Sequence, residues 1–150
     1  MFAPIIAAVV LAFVSAIIHA LGLLMLLYWH TRQWPKIEAN FSPRRNVQLF
    51  LALIGVILVL HVLEIGVWAG CYSWQHCLPD FETSFYFSGA TYTTLGYGDV
   101  VLPRPWRLVG VLESLTGVLL MGWSAAFFFA MVSRLFDLRI RYWQQQRKPQ

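Results

Sequence analysis

The residues from Ala3 to Trp29 form one apolar run of 27 residues that contains no charged side chain. As a helix, such a run would reach about 40 Å, more than the roughly 30 Å of a bilayer's hydrocarbon core. We therefore predict a membrane-spanning helix here. A cleaved signal peptide is the alternative, but no Lys or Arg precedes the run, and the run is about twice the usual length of a signal-sequence core.

Two further apolar runs are long enough to cross a bilayer. Val47 to Gly70 contains His61 and Glu64, and a third run extends from near Trp106 to near Leu138 with Glu113 inside it. Only 12% of the 150 residues are charged, against roughly 25% in soluble domains. This composition excludes a soluble enzyme, a disordered chain and a disulfide-stapled secreted peptide. We predict an all-α membrane protein with three transmembrane helices.

Basic residues are concentrated on one side of these spans. Nine of the eleven lie in a predicted loop, His30 to Asn46, or after the third helix. By the positive-inside rule, that side is cytoplasmic and the N-terminus lies outside. The small size of the chain suggests that the membrane is a prokaryotic inner membrane. The membrane topology therefore accounts for the basic pI, and no nucleic-acid partner is expected. The last four basic residues of the chain could contact anionic lipid headgroups or serve only as a topology signal. They are Arg139, Arg141, Arg147 and Lys148.

The segment from Cys71 to Pro105 lies between the second and third spans and would face outside. Asp80 is a favourable helix N-cap and Glu82 lies in the first turn, so we predict a short helix from Phe81 to Tyr92. At about 18 Å it is too short to span. Backbone that enters the bilayer and turns back is tolerated where it is buried in protein or lines a watery cavity.

The short helix is followed by T-T-L-G-Y-G-D, residues 93–99. Gly96 and Gly98 permit backbone at positive φ, which would turn successive carbonyl groups the same way. The negative end of the short helix would also point inward and favour a cation. As a dinucleotide fingerprint the segment fails, because the third glycine and the strand–helix context are missing.

This motif resembles the selectivity-filter signature of tetrameric potassium channels, whose commonest form is T-V-G-Y-G. The resemblance implies a pore helix, a filter and an inner helix from each of four subunits. It implies that K+ is bound by main-chain carbonyls and one threonine hydroxyl, with both glycines giving backbone freedom. The implied filter residues are Thr94, Leu95, Gly96, Tyr97 and Gly98, of which the first four bind K+.

Support for the filter is expected from Thr93, Asp99, Tyr86 and Glu113. The family often has two tryptophans where this chain has Tyr86 and Phe87, and Phe87 cannot donate a hydrogen bond to Tyr97. Some members place a glutamate where Ala90 stands, to bind the aspartate at the filter mouth. Asp99 therefore needs another partner, for which Tyr86 is the candidate.

Glu113 lies about two turns into the third span. One interpretation makes it a bracket behind the filter, bonded to Tyr92, Thr93 or Ser114. The other makes it a protonated, polar helix contact, and both remain open.

Three more ionisable residues lie in the first two spans. His61 and Glu64 are three residues apart on one helix face and can pair. A proton relay would need a longer chain of such groups. His19 is expected to be a buried histidine with its hydrogen bonds satisfied.

The third span contains two glycines, Gly117 and Gly122, which are candidates for a gating hinge or for simple helix packing. Phe129 falls on one helical face with smaller apolar residues and is a candidate inner constriction. Cys71 and Cys77 enclose five residues in the outward segment and are candidates for a disulfide. With His76 they could instead bind zinc, but a fourth ligand is missing.

These features predict a homotetrameric, passive channel with K+ as its permeant ion and no cofactor. Residues 1–46 would form an additional helix and loop, 47–138 the pore domain and 139–150 a basic cytoplasmic tail. No helix carries the regular Arg or Lys of a voltage sensor, and no hydrolase motif is present, so no enzyme is expected. The alternatives are a weakly selective cation channel and an accessory subunit of a transporter.

Overall fold

The computed structural model describes residues 2–39 and 43–146, and over these residues the chain is all α-helical with no β-strand. Three helices are long and apolar enough to cross a membrane, as predicted. The helices are α1 (Phe2–Ala39), α2 (Pro43–Trp74), the short α3 (Phe81–Tyr92) and α4 (Arg107–Gln146), the last preceded by a 3-10 turn at Arg104–Trp106.

Helices α1, α2 and α4 form a bundle, and α3 packs between α2 and α4 at one end of it. The larger apolar core lies beside α3 and includes the fully buried Trp68, Tyr72, Tyr92 and Val109. A smaller core of Leu26, Leu53 and Met131 lies farther along the bundle. The first helix thus packs on its own chain, against both α2 and α4.

The outer faces of the long helices are apolar as well. Phe13 and Leu21 on α1 and Leu58 on α2 each expose more than half of their side chain. Side chains of this kind favour a hydrocarbon environment over water, as expected of a chain with three spans.

Helices α1, α2 and α4 extend beyond the predicted apolar spans. The predicted loop His30 to Asn46 is helix as far as Ala39 and again from Pro43, and residues 40–42 lie outside the described residues. Helix α4 continues past Leu138 to Gln146, which makes most of the predicted tail helical, while Arg147 and Lys148 lie outside the described residues. Charged residues end an apolar run without ending a helix, because Arg, Lys, Glu and Gln are good helix formers.

Helix α3 has the predicted bounds, and its predicted cap is confirmed. Asp80 lies outside the helix at φ −150° and ψ 173°, and its carboxylate accepts the Thr83 backbone N–H at 2.7 Å. This hydrogen bond lowers the pKa of Asp80. The cap starts the helix at Phe81, two residues after Pro79.

Candidate functional site

The segment from Thr93 to Asp99, here called the TLGYG loop, leaves α3 through a short series of backbone hydrogen bonds. The Thr93 N–H donates to the Gly89 carbonyl at 3.1 Å and its hydroxyl to the same oxygen at 2.6 Å. The Thr94 N–H donates to Thr91 at 3.0 Å. Two residues beyond, the Gly96 N–H donates to the Ala90 carbonyl at 3.1 Å. The loop therefore folds back along the end of α3.

Every second residue of the TLGYG loop has positive φ. The angle is 64° at Thr94, 54° at Gly96 and 80° at Gly98. Both glycines thus adopt the positive φ that the sequence predicted they would permit. The positive φ at Thr94 was missed, because a β-branched residue gives no signal for a left-handed conformation that it rarely adopts.

Asp99 ends the loop and is tied back to α3. The Tyr86 hydroxyl donates to Asp99 Oδ2 at 2.7 Å, which is the partner that the sequence suggested. This hydrogen bond lowers the pKa of Asp99 and raises the pKa of Tyr86. The two ends of the loop are therefore both fixed to α3, one by backbone bonds and one by a side chain.

Helix α4 supports the loop from behind at Gly117. A Cβ placed on Gly117 would stand 2.1 Å from the Tyr92 carbonyl oxygen, so α4 touches the last residue of α3 where only glycine fits. The Ser114 hydroxyl donates to the Thr91 carbonyl at 2.8 Å in the same region. Gly122, by contrast, has open space at the Cβ position within the chain.

Residues 58–134 match the family Ion_trans_2, described as ion channel. The match covers just over half of the chain, from the middle of α2 through α3 and the TLGYG loop into α4. The chain belongs to this ion channel family. It is a multi-pass membrane protein, and α1 lies outside the matched region.

No curated protein and no solved structure matches the chain. The family match therefore identifies the protein as an ion channel but does not identify the ion that it conducts.

Glu113 of the channel has partners other than those predicted. Its carboxylate accepts the Tyr72 hydroxyl at 2.7 Å and the Ser88 hydroxyl at 2.5 Å, in place of the predicted Tyr92, Thr93 or Ser114. It is completely buried. The contact joins α2, α3 and α4 in one place and reaches α3 at Ser88, in the half of the helix that leads into the TLGYG loop. Sequence spacing could not show this, because Tyr72 and Glu113 are 41 residues apart.

His19, His61, Glu64, Tyr92 and Ser124 form a second buried group, here called the buried polar cluster. Glu64 Oε1 lies 2.8 Å from His19 Nδ1, and Glu64 Oε2 lies 3.2 Å from His61 Nδ1. His61 Nδ1 also lies 3.0 Å from the Tyr92 hydroxyl, which donates a short hydrogen bond to Glu64. Ser124 Oγ is 3.1 Å from His19 Nε2 and 3.2 Å from His61 Nε2.

The predicted pairing of His61 with Glu64 is confirmed, and His19 is buried and hydrogen bonded as expected. The sequence treated His19 by itself, however, and the structure makes it a member of the same cluster. The sequence shows that each of the four helices contains a polar residue of this cluster. Only the packing of α1 on α2 and α4 brings these residues together.

The predicted disulfide is absent, because Cys71 and Cys77 are both free thiols. Cys71 belongs to the last turns of α2, whereas Cys77 packs into the larger core with its Sγ toward the Gln75 carbonyl at 3.9 Å. Burial, together with the nearby Cys71, raises the pKa of Cys77 to about 11. The intervening turn, with His76 at φ 50°, sends the two side chains to different surroundings.

The TLGYG loop and one face of α4 are uncovered within a single chain. Leu95 is 60% exposed and Tyr97 is 67% exposed. A groove between α3 and the loop is lined by Phe81, Phe85, Leu95 and Tyr97, among others. Phe129, the candidate inner constriction, is also exposed on α4.

Proposed function

We propose that this ion channel passes K+ selectively and passively, and that residues 94–98 are its selectivity filter. The observation that carries the proposal is the alternation of positive φ at Thr94, Gly96 and Gly98. In a β-strand successive carbonyls point to opposite sides. A backbone with left-handed residues at every second position can turn them toward one side, where they can replace the water around a K+ ion.

The electrostatics of α3 favour a cation at the same place. The C-terminal end of a helix carries about half a negative charge, and α3 ends at Tyr92, one residue before the loop. Asp99 adds a carboxylate at the other end of the loop. The K+-binding atoms would be the carbonyls of the first four loop residues from Thr94 onward, together with the Thr94 hydroxyl.

A homotetramer is part of the proposal. One strip of carbonyls supplies too few oxygens for a dehydrated ion, so several copies must surround one axis. Exposed apolar side chains next to the loop, Leu95 and Tyr97, support this, because a partner subunit would cover them. In such a ring the exposed face of α4 that carries Phe129 would line the inner cavity, and Gly117 or Gly122 would be the hinge.

We also propose an N-terminus outside and a cytoplasmic C-terminus in a prokaryotic inner membrane. The basic residues of the α1–α2 junction and of the end of α4 support this orientation. Those at the end of α4 would contact anionic headgroups. Helix α3 and the TLGYG loop would then open toward the outer solution.

Flux into liposomes tests the proposal with purified full-length protein. We expect uptake of K+ or Rb+ that Ba2+ blocks and that Na+ cannot replace. Gly96→Ala should abolish selective flux, because alanine is disfavoured at φ 54°. Gly55→Ala is the matched control, since Gly55 lies in α2 with open space around its Cβ position and should behave as wild type.

Four outcomes would contradict the proposal. Equal Na+ and K+ flux would make the protein a weakly selective cation channel, and no flux at all would favour an accessory subunit. Unchanged K+ preference in Gly96→Ala would remove the filter assignment. A single-copy mass of the purified protein in detergent would remove the tetramer.

A further inference from the structure

The buried polar cluster contains more hydrogen-bond acceptors than its own hydrogens can satisfy. With Glu64 ionised, four hydrogens are available, one from each neutral imidazole and one each from Tyr92 and Ser124. The contacts require a fifth, even when the His61 Nδ1 hydrogen is shared between Glu64 and Tyr92. One of these contacts therefore has no hydrogen, unless a proton or a metal ion is added to the cluster.

The two histidines are oriented alike. Each presents Nδ1 to the Glu64 carboxylate and Nε2 to Ser124. If both Nδ1 atoms bind a metal, both Nε2 atoms carry the hydrogen, and a single hydroxyl oxygen can accept from both. Histidines that bind metals usually donate their other N–H to a fixed partner in this way. The hydrogens on the two Nε2 atoms and on the Tyr92 hydroxyl then all have acceptors within the cluster, with no added proton.

We propose that His19, His61 and Glu64 bind a divalent transition metal of the Zn2+ class. Two histidines and one carboxylate are a common protein ligand set for Zn2+. Around a tetrahedral ion with bonds of 2.0–2.1 Å, neighbouring ligand atoms lie about 3.3 Å apart. The ligand atoms here all lie within 4.8 Å of one another, and the two histidine–carboxylate pairs are 2.8 and 3.2 Å apart. Rotamer-scale shifts therefore admit the ion.

Three protein ligands leave the fourth position of a tetrahedral ion to a water molecule. His19 and Glu64 are completely buried, while the His61 side chain is 14% exposed and gives an ion its entry. Within the described part of the chain, this is the only group of three or more His, Cys, Asp or Glu residues with such spacing. Bound metal would clamp α1 to α2, and Tyr92 would connect the clamp to the end of α3.

The proposal is tested by metal titration of the purified, assembled protein in detergent. Bound metal is first removed from the protein with a chelator. Zn2+ is followed by calorimetry, and Co2+, which takes the same ligands, by its visible absorption. We expect one ion per chain, with a ligand shell of nitrogen and oxygen by X-ray absorption. His19→Gln and Glu64→Gln should weaken binding at least about 100-fold, because each removes a ligand.

The Ser124→Ala variant keeps all three metal ligands and removes only the hydroxyl that contacts both imidazoles. It therefore tests whether this hydroxyl supports metal binding. It should weaken binding about 10- to 100-fold, because both imidazoles lose their common acceptor. His76→Asn is the matched control: this exposed residue lies beside the cysteines, and asparagine tolerates its positive φ. Its affinity should equal that of the wild type. Size-exclusion profiles show whether each variant still assembles.

Binding that survives in His19→Gln, or sulfur in the ligand shell, would place the metal elsewhere and overturn the proposal. No saturable binding by the assembled wild type would overturn it too, and would leave a hydrogen-bonded cluster without a metal. None of these measurements involves K+ flux, so they stand or fall separately from the proposed selectivity.

Discussion

Gly117 of α4 lies directly against the carbonyl of Tyr92, the last residue of α3, where a Cβ would be 2.1 Å from the oxygen. The obstacle is backbone rather than a mobile side chain, so neither partner can rotate away. The two helices are thereby fixed at the point from which the TLGYG loop departs.

Gly117→Ala should therefore damage the channel. The added methyl group must push α4 away from α3, and overpacking of this kind costs about 1–3 kcal/mol. We expect a lower thermal unfolding temperature in detergent and at least a tenfold loss of flux. Gly122→Ala is the control, because its Cβ meets nothing within 4 Å and alanine favours a helix.

A flux defect in Gly122→Ala with normal stability would instead identify Gly122 as the hinge. Equal stability of Gly117→Ala and the wild type would contradict the close contact.

The structure predicts a stability cost for removing one hydroxyl from Glu113. Tyr72→Phe leaves the buried carboxylate with Ser88 alone, which should cost about 1–3 kcal/mol. Thermal unfolding in detergent measures the loss. Tyr28→Phe is the matched control, since the Tyr28 side chain is 58% exposed on α1. If both variants unfold at the same temperature, the Tyr72–Glu113 contact has no net stabilising effect.

Much of the fold was predictable because each element is specified locally. The bounds of α3 follow from the cap at Asp80, and the three spans follow from runs too apolar for water. The positive φ at Gly96 and Gly98 follows from residue type. The ends of α1 and α4 were misjudged because polarity marks the edge of a bilayer and not the end of a helix.

The side-chain contacts between helices were not predictable from spacing. Trp68, near the end of an apolar run, is typical of a membrane-interface residue, yet it is completely buried and donates to Ser15 at 3.1 Å. Glu113 and His19 likewise take partners on other helices, 41 and 45 residues away along the chain. Such contacts depend on helix rotation and crossing, and the apolar runs here are nearly uniform around the helix axis.

The hydrogen bond between Tyr86 and Asp99 predicts a measurable pKa change. Its loss in Tyr86→Phe should raise the pKa of Asp99 toward the ordinary value of about 3.9. Because folding lowers this pKa, the stabilisation is present above the unfolded pKa and disappears as the pH falls through the folded one. Carbon NMR of aspartate-labelled protein measures the carboxyl groups directly, since the chain has only three aspartates.

Asp99→Asn assigns the resonance, and Asp80 serves as an internal control in the same spectra. Its pKa is lowered by the Thr83 backbone N–H, which Tyr86→Phe does not touch, so it should stay constant. A pKa of Asp99 that does not move would show that the Tyr86 hydroxyl is bonded elsewhere.

The free thiols predict the outcome of cysteine labelling. Denatured, unreduced protein should take up two alkyl groups per chain, because neither sulfur is in a disulfide. In the native protein near neutral pH, Cys77 should react far more slowly than an ordinary thiol. Its pKa of about 11 leaves little of the reactive thiolate, and its side chain is almost completely covered. Mass spectrometry counts the labels, and Cys71→Ser isolates the signal of Cys77. Labelling that requires prior reduction would restore the disulfide predicted from the sequence, and the turn at His76 would then have to bring the two sulfurs together.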